Sequence, residues 1–434
     1  MGAGGADRRE CGEDIGEKTV TNKKSLGSIV SINPEFLGSR FLYEFINYID
    51  ISSIKEGNLE KTTKIEIKNA PARAKRLVRN GDTILSTVRP NLRAFLYLKN
   101  PSPDTVVSTG FAVLRPSEKI DSRFLYYSVI NQEFTDYLTN NAKGAAYPAV
   151  DTETIARAEI PFPPLPIQQK IATILSAYDD LIENNTRRIR VLEDMTQAIY
   201  REWFVNFCFP GHESVRMVES ELGLVPEGWE IRCIQDVCSK ILSGRTPERN
   251  HDEYWNNGTI QWFKTKELQD GYLLNSEETI SDQGLKKSSA KLFPEDTIII
   301  ALYAAPTLGR MGILTKPATF NQATCAVIPD QNYISMPFLF IVLLNLRDYF
   351  HRIAQGATQQ NINVQKLKET PFLLPRKEIV ISFTTIILPV FENIRTLTIK
   401  NQNLRHTRDL LLPKLISGEI DVSELDIRIP KAEA

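Results

Sequence analysis

The sequence changes character at Ile160-Pro161-Phe162-Pro163-Pro164-Leu165-Pro166, because the forty residues that follow, 167–206, contain neither glycine nor proline. Such a run without helix breakers predicts one long α-helix that begins just after the prolines. Forty residues in α-helical conformation extend over about 60 Å, about twice the diameter of a small domain. We therefore expect this helix to project beyond the domain that precedes it.

Apolar residues of this helix recur in steps of four and three, which is the pattern of a coiled-coil seam. They are Ile167, Ile171, Ile174, Tyr178, Leu181, Leu192, Met195 and Ile199. Asn185 and Arg188 occupy the remaining seam positions, where polar side chains fix the register at a cost in stability. The pattern predicts that the seam packs against a second helix.

An internal repeat supplies the second helix. At a shift of 212 residues Pro163 matches Pro375 and Ile182 matches Ile394, and further upstream Phe124-Leu125 matches Phe338-Leu339 with a small slip. The second seam consists of Ile379, Phe383, Ile386, Val390, Leu397, Leu404 and Leu411, with Asn393, Lys400 and Thr407 at its polar positions. Pro389 lies inside this helix and predicts a kink or a break.

Upstream of each helix, short β-branched and aromatic runs alternate with turns, which predicts a compact mixed domain. The fold class is therefore α/β (α+β): two mixed α/β domains separated by two long helices that form an antiparallel coiled coil, with a pseudo-twofold internal repeat. The predicted boundaries are a disordered N-terminus at 1–18, domains at 19–163 and 210–375, helical segments at 164–209 and 376–422, and a C-terminal tail at 423–434. Packing of each helix on its own domain alone is the alternative.

Composition excludes several classes of protein. Hydrophobic residues at 42% and charged residues at 24% are typical of a globular protein. Because 52 Lys and Arg balance 53 Asp and Glu, any nucleic-acid surface has to be local. Five scattered cysteines without CxxC spacing, together with the lack of a signal-like or membrane-spanning apolar run, predict a cytoplasmic protein with no membrane association.

The strongest local charge is in residues 61–99, which hold ten basic side chains against two acidic ones. Within it, residues 86–93 end a predicted strand in a turn rich in Arg and Asn, which are residue types that bind guanine, adenine and phosphate. We predict DNA contacts from Arg73, Lys75, Arg76, Arg79, Thr87, Arg89, Asn91 and Arg93, and from Tyr147 in the turn 144–148. A solvated basic face is the alternative.

The second half offers corresponding candidates. The stretch 301–310 is repeat-equivalent to 86–93, and the turn 356–361 matches 144–148. The predicted contacts here are Arg245, Lys264, Lys266, Thr307, Arg310, Gln359 and Gln360. The alternative is that these polar side chains cap turns.

Signatures of enzymes are missing from the sequence. It has no GxxxxGK[ST] phosphate loop. Asn33-Pro34-Glu35-Phe36 resembles the adenine-gripping loop of amino-methyltransferases but lacks its second proline and a Gly-rich cofactor loop, so an ordinary turn is favoured. Cys233, Cys238 and His251 lack the fourth ligand of a structural zinc site. We therefore predict no catalytic residue, no cofactor and no metal.

Four motifs, in order, resemble those of the type I restriction-modification specificity subunit. The stretches 160–169 and 198–204 resemble the entry and the end of a conserved helix of that family. Val225-Pro226-Glu227-Gly228-Trp229 resembles the start of its second target-recognition domain, and 411–420 resembles its C-terminal signature. The second hinge, 375–379, departs from the pattern because it lacks the double proline and the glutamine, and the first domain lacks a counterpart of Trp229.

The resemblance implies a non-catalytic subunit that reads a bipartite, asymmetric double-stranded DNA sequence, with one half read by each target-recognition domain. It also implies that two DNA methyltransferase subunits dock on the helices and supply the S-adenosylmethionine chemistry, and that ATP-dependent restriction subunits join in some complexes. A self-sufficient DNA methyltransferase and a protein scaffold unrelated to DNA are the alternatives. A cofactor motif would distinguish the first, and the absence of DNA binding would favour the second.

Overall fold

The computed structural model describes residues 22–38, 41–55, 57–221, 223–303, 306–354 and 361–429. These residues form two compact units. Unit 1 comprises the described residues up to Ile182 together with those from Leu404 onward, and unit 2 comprises the described residues of Glu183–Asn403. The boundary between the units therefore lies within both long helices.

Unit 1 begins with a mixed α/β domain. Its strands are β1 Lys23–Ser25, β2 Val30–Ile32, β3 Phe45–Ile49, β4 Ile54–Lys55, β5 Asn58–Leu59, β6 Thr63–Glu66, β7 Ala74–Leu77, β8 Thr83–Ser86, β9 Phe95–Tyr97, β10 Thr105–Ser108, β11 Phe111–Pro116 and β12 Glu159–Pro161. Its helices are α1 Ser122–Ile130, α2 Gln132–Asn140 and α3 Thr152–Arg157, followed by the long helix α4 Leu165–Tyr200. Two four-stranded sheets, β6-β3-β10-β7 and β2-β11-β8-β9, form the described part of the domain's centre.

Unit 2 repeats this plan. Its strands are β13 Met217–Ser220, β14 Gly223–Pro226, β15 Glu230–Cys233, β16 Cys238–Ser243, β17 Ile260–Phe263, β18 Gly271–Leu273, β19 Glu278–Ile280, β20 Ile298–Ala301, β21 Met311–Leu314, β22 Thr319–Phe320, β23 Thr324–Pro329 and β24 Pro371–Leu374. Its helices are α5 Asp282–Lys287, α6 Met336–Asn345, α7 Arg347–Ile353 and α8 Val364–Lys368, followed by α9 Lys377–Ser417. Its main sheets are β16-β23-β20-β21-β18 and β19-β17-β22.

The two halves use equivalent local signals. Asp121 caps α1 by accepting hydrogen bonds from the amides of Arg123 and Phe124, and Ser335 caps α6 by accepting from Phe338. A side-chain acceptor at the N-cap satisfies amides that have no partner inside the helix. Each of these helices then packs its apolar face on the core of its own unit.

The long helix predicted at 167–206 is confirmed, and so is the mixed α/β class. The helix α4 runs from Leu165 to Tyr200 and continues as a π-helical segment, Arg201–Val205. Pro389 was expected to kink or break the second helix, but α9 is continuous from Lys377 to Ser417, so the predicted break is wrong. Pro389 lies on the exposed side of α9, and Phe383, Ile387 and Ile394 bury the other side of the same stretch of helix.

Each long helix contributes to the core of both units. Within unit 1, Ile171 and Leu175 of α4 share a buried cluster with Leu412 and Leu415 of α9. Within unit 2, Ile189 and Leu192 of α4 pack against the cluster that holds Ile394 of α9. The side-chain amide of Asn185 also donates to Oδ1 of Asn401 at 2.9 Å in unit 2.

The predicted seam uses two positions of each heptad, and on both helices one of these two positions is largely exposed rather than buried. Leu181 and Met195 are each 51% exposed and Ile386 is 45% exposed. Arg188, Asn393, Lys400 and Thr407 are exposed too. The less exposed residues lie one position further along. They are Leu175, Ile182 and Thr196 on α4 and Ile387, Ile394 and Asn401 on α9, which are buried, together with Ile189 and Arg408, which are half-buried. On α4 both sets of positions are rich in apolar side chains, so the sequence pattern alone does not distinguish them.

By length and composition alone, α9 is apolar enough to cross a membrane, because an 18-residue window has a mean hydropathy of 1.4. The window is interrupted by polar residues and is therefore not a continuous apolar run. The same helix buries Phe383, Ile387 and Ile394 in the core of unit 2, which is the role of a core helix. Core helices pass the same hydropathy test, so the window is weak evidence for membrane insertion.

Candidate nucleic-acid interface

Residues 87–93, here called loop 1, leave the end of β8 in unit 1. The loop contains a 3₁₀ turn, Pro90–Leu92, and both flanking residues are left-handed, Arg89 with φ 49° and Arg93 with φ 54°. Left-handed backbone is uncommon for residues with a Cβ and points to a loop held by its surroundings. The side chains of Arg89 and Asn91 are exposed, and Leu92 is 61% exposed.

A second segment, 143–150, pairs with loop 1. The amide of Arg89 donates to the carbonyl of Pro148 at 2.7 Å, and the amide of Val150 donates to that of Thr87 at 2.9 Å. Tyr147 is 69% exposed, and the Arg89 guanidinium carbon lies 4.8 Å from the centre of its ring. The two segments thus present an arginine, an amide and an aromatic ring together at the surface.

Arg73 lies at the base of loop 1. Its carbonyl accepts from the amide of Thr109, and the neighbouring carbonyl of Gly110 accepts from the amide and the hydroxyl of Thr87. The Arg73 side chain is paired with Asp50 at 2.5 Å and donates to the Tyr48 hydroxyl at 3.2 Å. These contacts, the Tyr48 hydrogen bond most of all, raise the pKa of Arg73. Its charge is permanent but partly balanced.

Arg76 differs from its basic neighbours. Its Nε and Nη1 atoms are buried and have no hydrogen-bond partner in the described residues, and desolvation lowers the pKa of its guanidinium. Arg79, by contrast, is paired with Glu35, and Lys75 on β7 is exposed. Unsatisfied buried donors are costly, so among the basic residues 73–79 Arg76 is the one whose hydrogen bonds the described residues leave unaccounted for.

Residues 302–310, here called loop 2, occupy the equivalent place in unit 2, with 304–305 outside the described residues. Tyr303 forms a β-bridge with Asn361, and the amide of Ile362 donates to Leu302 at 3.0 Å, as Val150 does to Thr87 in unit 1. The hydroxyl of Thr307 donates to the carbonyl of Tyr303 at 3.0 Å, and Arg310 is half-buried. Gln359 and Gln360 lie outside the described residues.

The other predicted contacts of unit 2 are of unequal standing. Arg245 is exposed, and its backbone amide donates to the carbonyl of Phe320. The turn that follows Phe320 accepts, through the carbonyl of Ala323, from the amide of Leu302 in loop 2. Lys264 is paired with Glu278 at 2.5 Å and with Glu277 at 3.3 Å, and the Glu278 hydrogen bond raises its pKa. Lys266 is paired with Glu277 at 2.6 Å. Both lysines remain charged, but Glu277 and Glu278 balance much of that charge.

Two arginines of unit 2 were missed by the sequence analysis. The Arg249 guanidinium carbon lies 3.6 Å from the ring centre of Trp255 and 4.9 Å from that of Trp262, and its Nη1 is 2.5 Å from Glu278. Arg347 binds the backbone of loop 2. The four-residue spacing of Arg245 and Arg249 before a tryptophan was the available signal for the first, whereas nothing local marks the second.

The zinc alternative gains no support from the described residues, which contain no group of three His, Cys, Asp or Glu side chains placed to hold a metal ion. Cys208, Cys233, Cys238 and Cys325 are free thiols. Burial raises the pKa of Cys238 and of Cys325 to about 12, so both thiols stay protonated at neutral pH. They are packing residues of the unit 2 core.

Comparison with known proteins places this repeated architecture in one family. The sequence model of the type I restriction modification DNA specificity domain matches residues 20–194 and again 226–404. The HindI specificity subunit of Haemophilus influenzae is 26% identical over 87% of this chain and 94% of its own length. The MjaIX specificity subunit of Methanocaldococcus jannaschii is 30% identical over 79% of this chain and 78% of its own.

Among solved structures, the type I restriction-modification S subunit from M. genitalium resembles the chain with a TM-score of 0.56 at 14% sequence identity, covering 91% of this chain and 96% of that one. At this identity the likeness concerns the fold alone. The family match covers both halves of the repeat and most of the sequence. The chain therefore belongs to the family of type I restriction-modification DNA specificity subunits.

Proposed function

We propose that the chain recognises the DNA sequence in a type I restriction-modification complex without itself being catalytic, and that each target-recognition domain, 19–163 and 210–375, reads one half of a bipartite, asymmetric site. The assignment of one half-site to each domain is supported by one observation: a loop that bears arginine recurs at the same topological place in both repeated domains. The family membership supports the role of the chain as a whole.

Within each domain we propose two kinds of contact. Exposed side chains of loop 1 and its partner segment, namely Arg89, Asn91 and Tyr147, reach base edges, while Arg73, Lys75, Arg76 and Arg79 with Thr87 hold the backbone phosphates. In unit 2, Arg310 and Thr307 correspond to loop 1, with Arg245, Lys264, Lys266, Gln359 and Gln360 around them. Arginine suits both tasks because its planar fork matches guanine and phosphate acceptors.

We further propose that the helical segments 164–209 and 376–422 pair as an antiparallel coiled coil. Contacts inside one unit support this direction. In unit 1, Lys170 of α4 donates to the carbonyl of Ser423, just beyond the end of α9, and further along α4 Asp179 is paired with Arg408, so the numbers rise on α4 as they fall on α9. Heptad seams of this kind bury apolar side chains from both helices.

The partners follow from the same proposal. Two DNA methyltransferase subunits dock on the helices and bring the S-adenosylmethionine chemistry, so this chain needs no cofactor of its own. ATP-dependent restriction subunits join where the host encodes them. Double-stranded DNA and such partners meet in the cytoplasm, where we expect the complex to act.

The test is methylome sequencing of cells that express the chain with its methyltransferase. Arg89→Ala is expected to relax one half of the methylated sequence by about 1 to 3 kcal/mol per lost base contact, and Arg310→Ala to relax the other half. Lys119→Ala is the matched control. This exposed lysine lies beyond the far end of β11, about 20 Å from the base of loop 1, and should leave both halves unchanged.

Two results would contradict the proposal. Transfer of labelled methyl groups to DNA by the purified chain alone would show a self-sufficient methyltransferase. A single loop variant that altered both halves of the methylated sequence would show that the two domains do not read independently.

A further inference from the structure

Loops 1 and 2 end in the same backbone geometry, but the residue at the equivalent position is an arginine in loop 1 and a glycine in loop 2. The amide of Ser86 donates to Ala94 at 2.7 Å across loop 1, and the amide of Ala301 donates to Arg310 at 2.9 Å across loop 2. The residue before each acceptor is left-handed, Arg93 with φ 54° and Gly309 with φ 75°. Arg93 and Gly309 are therefore equivalent positions of the repeat, one with a long side chain and the other with none.

In unit 1 the Arg93 side chain leaves the loop and binds the junction between α1 and α2. Its Nη2 donates to the carbonyl of Ile130 at 2.7 Å, and its Nη1 donates to Oε1 of Gln132 at 2.6 Å and to the hydroxyl of Thr135 at 3.3 Å. The guanidinium carbon also lies 5.3 Å from the centre of the Phe95 ring. Both terminal nitrogens of the guanidinium are thus engaged inside the domain.

In unit 2 the loop and the helical junction are also linked by an arginine, but this arginine belongs to the junction and reaches the loop. Arg347 is the first residue of α7, at the junction with α6 that corresponds to the α1–α2 junction. Its Nε donates to the carbonyl of Gly309 at 3.0 Å. A Cβ at Gly309 would lie 3.2 Å from Cγ of Arg347, so the arginine from the helix occupies the space that a side chain of the loop would need.

Asp270 completes the arrangement in unit 2. Its carboxylate accepts from Nη1 of Arg347 at 3.0 Å and also from Nη2. It accepts further from the amide of Met311, the residue after Arg310, at 2.9 Å, and the amide of Asp270 donates back to the carbonyl of Met311. Arg347 and Asp270 together hold the end of loop 2 on the helical junction.

We infer that Arg93 and Arg347 are equivalent positioning residues that clamp the two DNA-reading loops to their helical junctions and leave base and phosphate contact to the neighbouring exposed side chains. This inference rests on the proposed function, because it assumes that loops 1 and 2 meet DNA. It separates Arg93 from Arg89, which the sequence alone treats alike. It also gives a specificity role to Arg347, which lies 37 residues beyond Arg310 in the sequence.

A clamp and a DNA contact respond differently to substitution. A side chain that contacts phosphate contributes about 0.9 to the slope of log affinity against log salt, and lysine preserves that slope because it keeps the charge. A clamp contributes nothing to that slope, and lysine fails because it lacks the planar fork that binds two or three acceptors at once. Loss of a clamp also frees the loop before any DNA is present.

The experiment uses the full chain with its methyltransferase subunits and compares Arg93→Ala, Arg93→Lys and Arg89→Ala. We expect Arg93→Ala to raise amide hydrogen exchange in residues 86–94 of the free protein, to weaken binding to a specific duplex at least tenfold and to leave the salt slope unchanged. Arg93→Lys should behave like Arg93→Ala. Arg89→Ala should weaken binding without faster exchange, since the backbone contacts of residue 89 remain.

The matched variants in unit 2 are Arg347→Ala and Arg347→Lys, for which we expect faster exchange in residues 306–311 and relaxed methylation in the second half-site only. The inference is overturned if Arg93→Ala lowers the salt slope by about one with unchanged exchange, and Arg93→Lys restores binding, because Arg93 would then be a phosphate contact. That outcome leaves the proposed function intact. Absence of sequence-specific binding by the unmodified complex would instead reject the proposed function.

Discussion

The two domains attach to the long helices at equivalent places by different chemistry. In unit 1 the hydroxyl of Tyr127 donates to one carboxylate oxygen of Asp179 at 2.5 Å, and Arg408 donates to the other at 2.5 Å. The repeat-equivalent residues of unit 2 are Ile341, Phe391 and Thr196, all of them buried. One architecture therefore accepts either a directional polar network or apolar packing at the same position.

In the polar network of unit 1, the carboxylates offset the cost of burying the charged side chain of Arg408. Burial disfavours the charged guanidinium of Arg408, but the carboxylates of Asp179 and Asp409 outweigh it and raise its pKa. Burial, and then Asp179, raises the pKa of Tyr127, so its hydroxyl remains a donor at neutral pH. Asp179 is the central member, because its removal takes one acceptor from Arg408 and the acceptor from the desolvated Tyr127 hydroxyl.

Unit 2 relies on contact area instead. Phe383 of α9 is fully buried, and its ring centre lies 4.8 Å from that of Phe204 and 5.7 Å from that of Trp203. Phe338 of α6 joins this cluster at 5.2 Å from Phe204. Aromatic pairs add to the burial of apolar surface, and the contribution is spread over many contacts.

The largest expected effect is that of Phe383→Ala, which should lower the free energy of unfolding of unit 2 by about 3 to 5 kcal/mol because it leaves a cavity among rigid rings. Hydrogen exchange of α6 amides measures this locally, without the assumption that the whole chain unfolds in one step. Leu388→Ala on the same helix is the control, since Leu388 is 45% exposed. Equal effects of the two substitutions would refute the central place of Phe383.

A smaller effect is expected for Asp179→Ala, which leaves the Tyr127 hydroxyl without its acceptor and Arg408 with Asp409 alone. Because the two charged side chains are 30% and 23% exposed, we expect a loss of about 1 to 3 kcal/mol in unit 1 rather than the larger cost of a fully buried pair. Hydrogen exchange of α1 is the measurement. Asp180→Ala, which removes only exposed contacts at 3.4 Å, should change it by less than about 0.5 kcal/mol.

The third prediction concerns the replacement of a polar pair in the helix seam by apolar side chains. Asn185 binds Asn401, whereas the positions related to them by the repeat are Leu397 and Ile189. The double variant Asn185→Leu, Asn401→Ile should therefore raise the stability of unit 2 by about 1 kcal/mol, since a buried polar pair fixes the register at a cost. Asn401→Ile alone should destabilise, because the half-buried amide of Asn185 loses its acceptor. Chemical denaturation distinguishes the two signs.

The sequence predicted the plan of the molecule better than its contacts. The repeat and the breaker-free run at 167–206 depend on local patterns, and α4 begins two residues before the predicted helix start. The predicted break at Pro389 was wrong because the proline lies on the exposed face, while the buried side chains of Phe383 and Ile387 hold the other face of the helix in the core. Tertiary packing thus overrides a local rule.

The candidate site shows the same limit. Arg89, Asn91 and Arg93 lie within five residues and look equivalent in sequence, yet only Arg93 reaches Ile130, some forty residues away along the chain. The pairing of Lys264 with Glu277 and Glu278 is likewise invisible to charge counting over a short window, because the carboxylates come from the next strand. Long-range neighbours decide which basic side chains remain available.

The smallest expected effect tests the seam itself. The residues at 174, 181 and 195 and those at 175, 182 and 189 are apolar alike, so steps of four and three fit two frames equally well. In the frame that the structure adopts, Leu181 faces solvent, and Leu181→Ala should change the stability of unit 1 by less than about 0.5 kcal/mol. Leu175→Ala, at a fully buried position, should cost about 2 to 5 kcal/mol by the same denaturation measurement. The reverse order would mean that Leu181 faces the partner helix and that the frame first predicted from the sequence is the correct one.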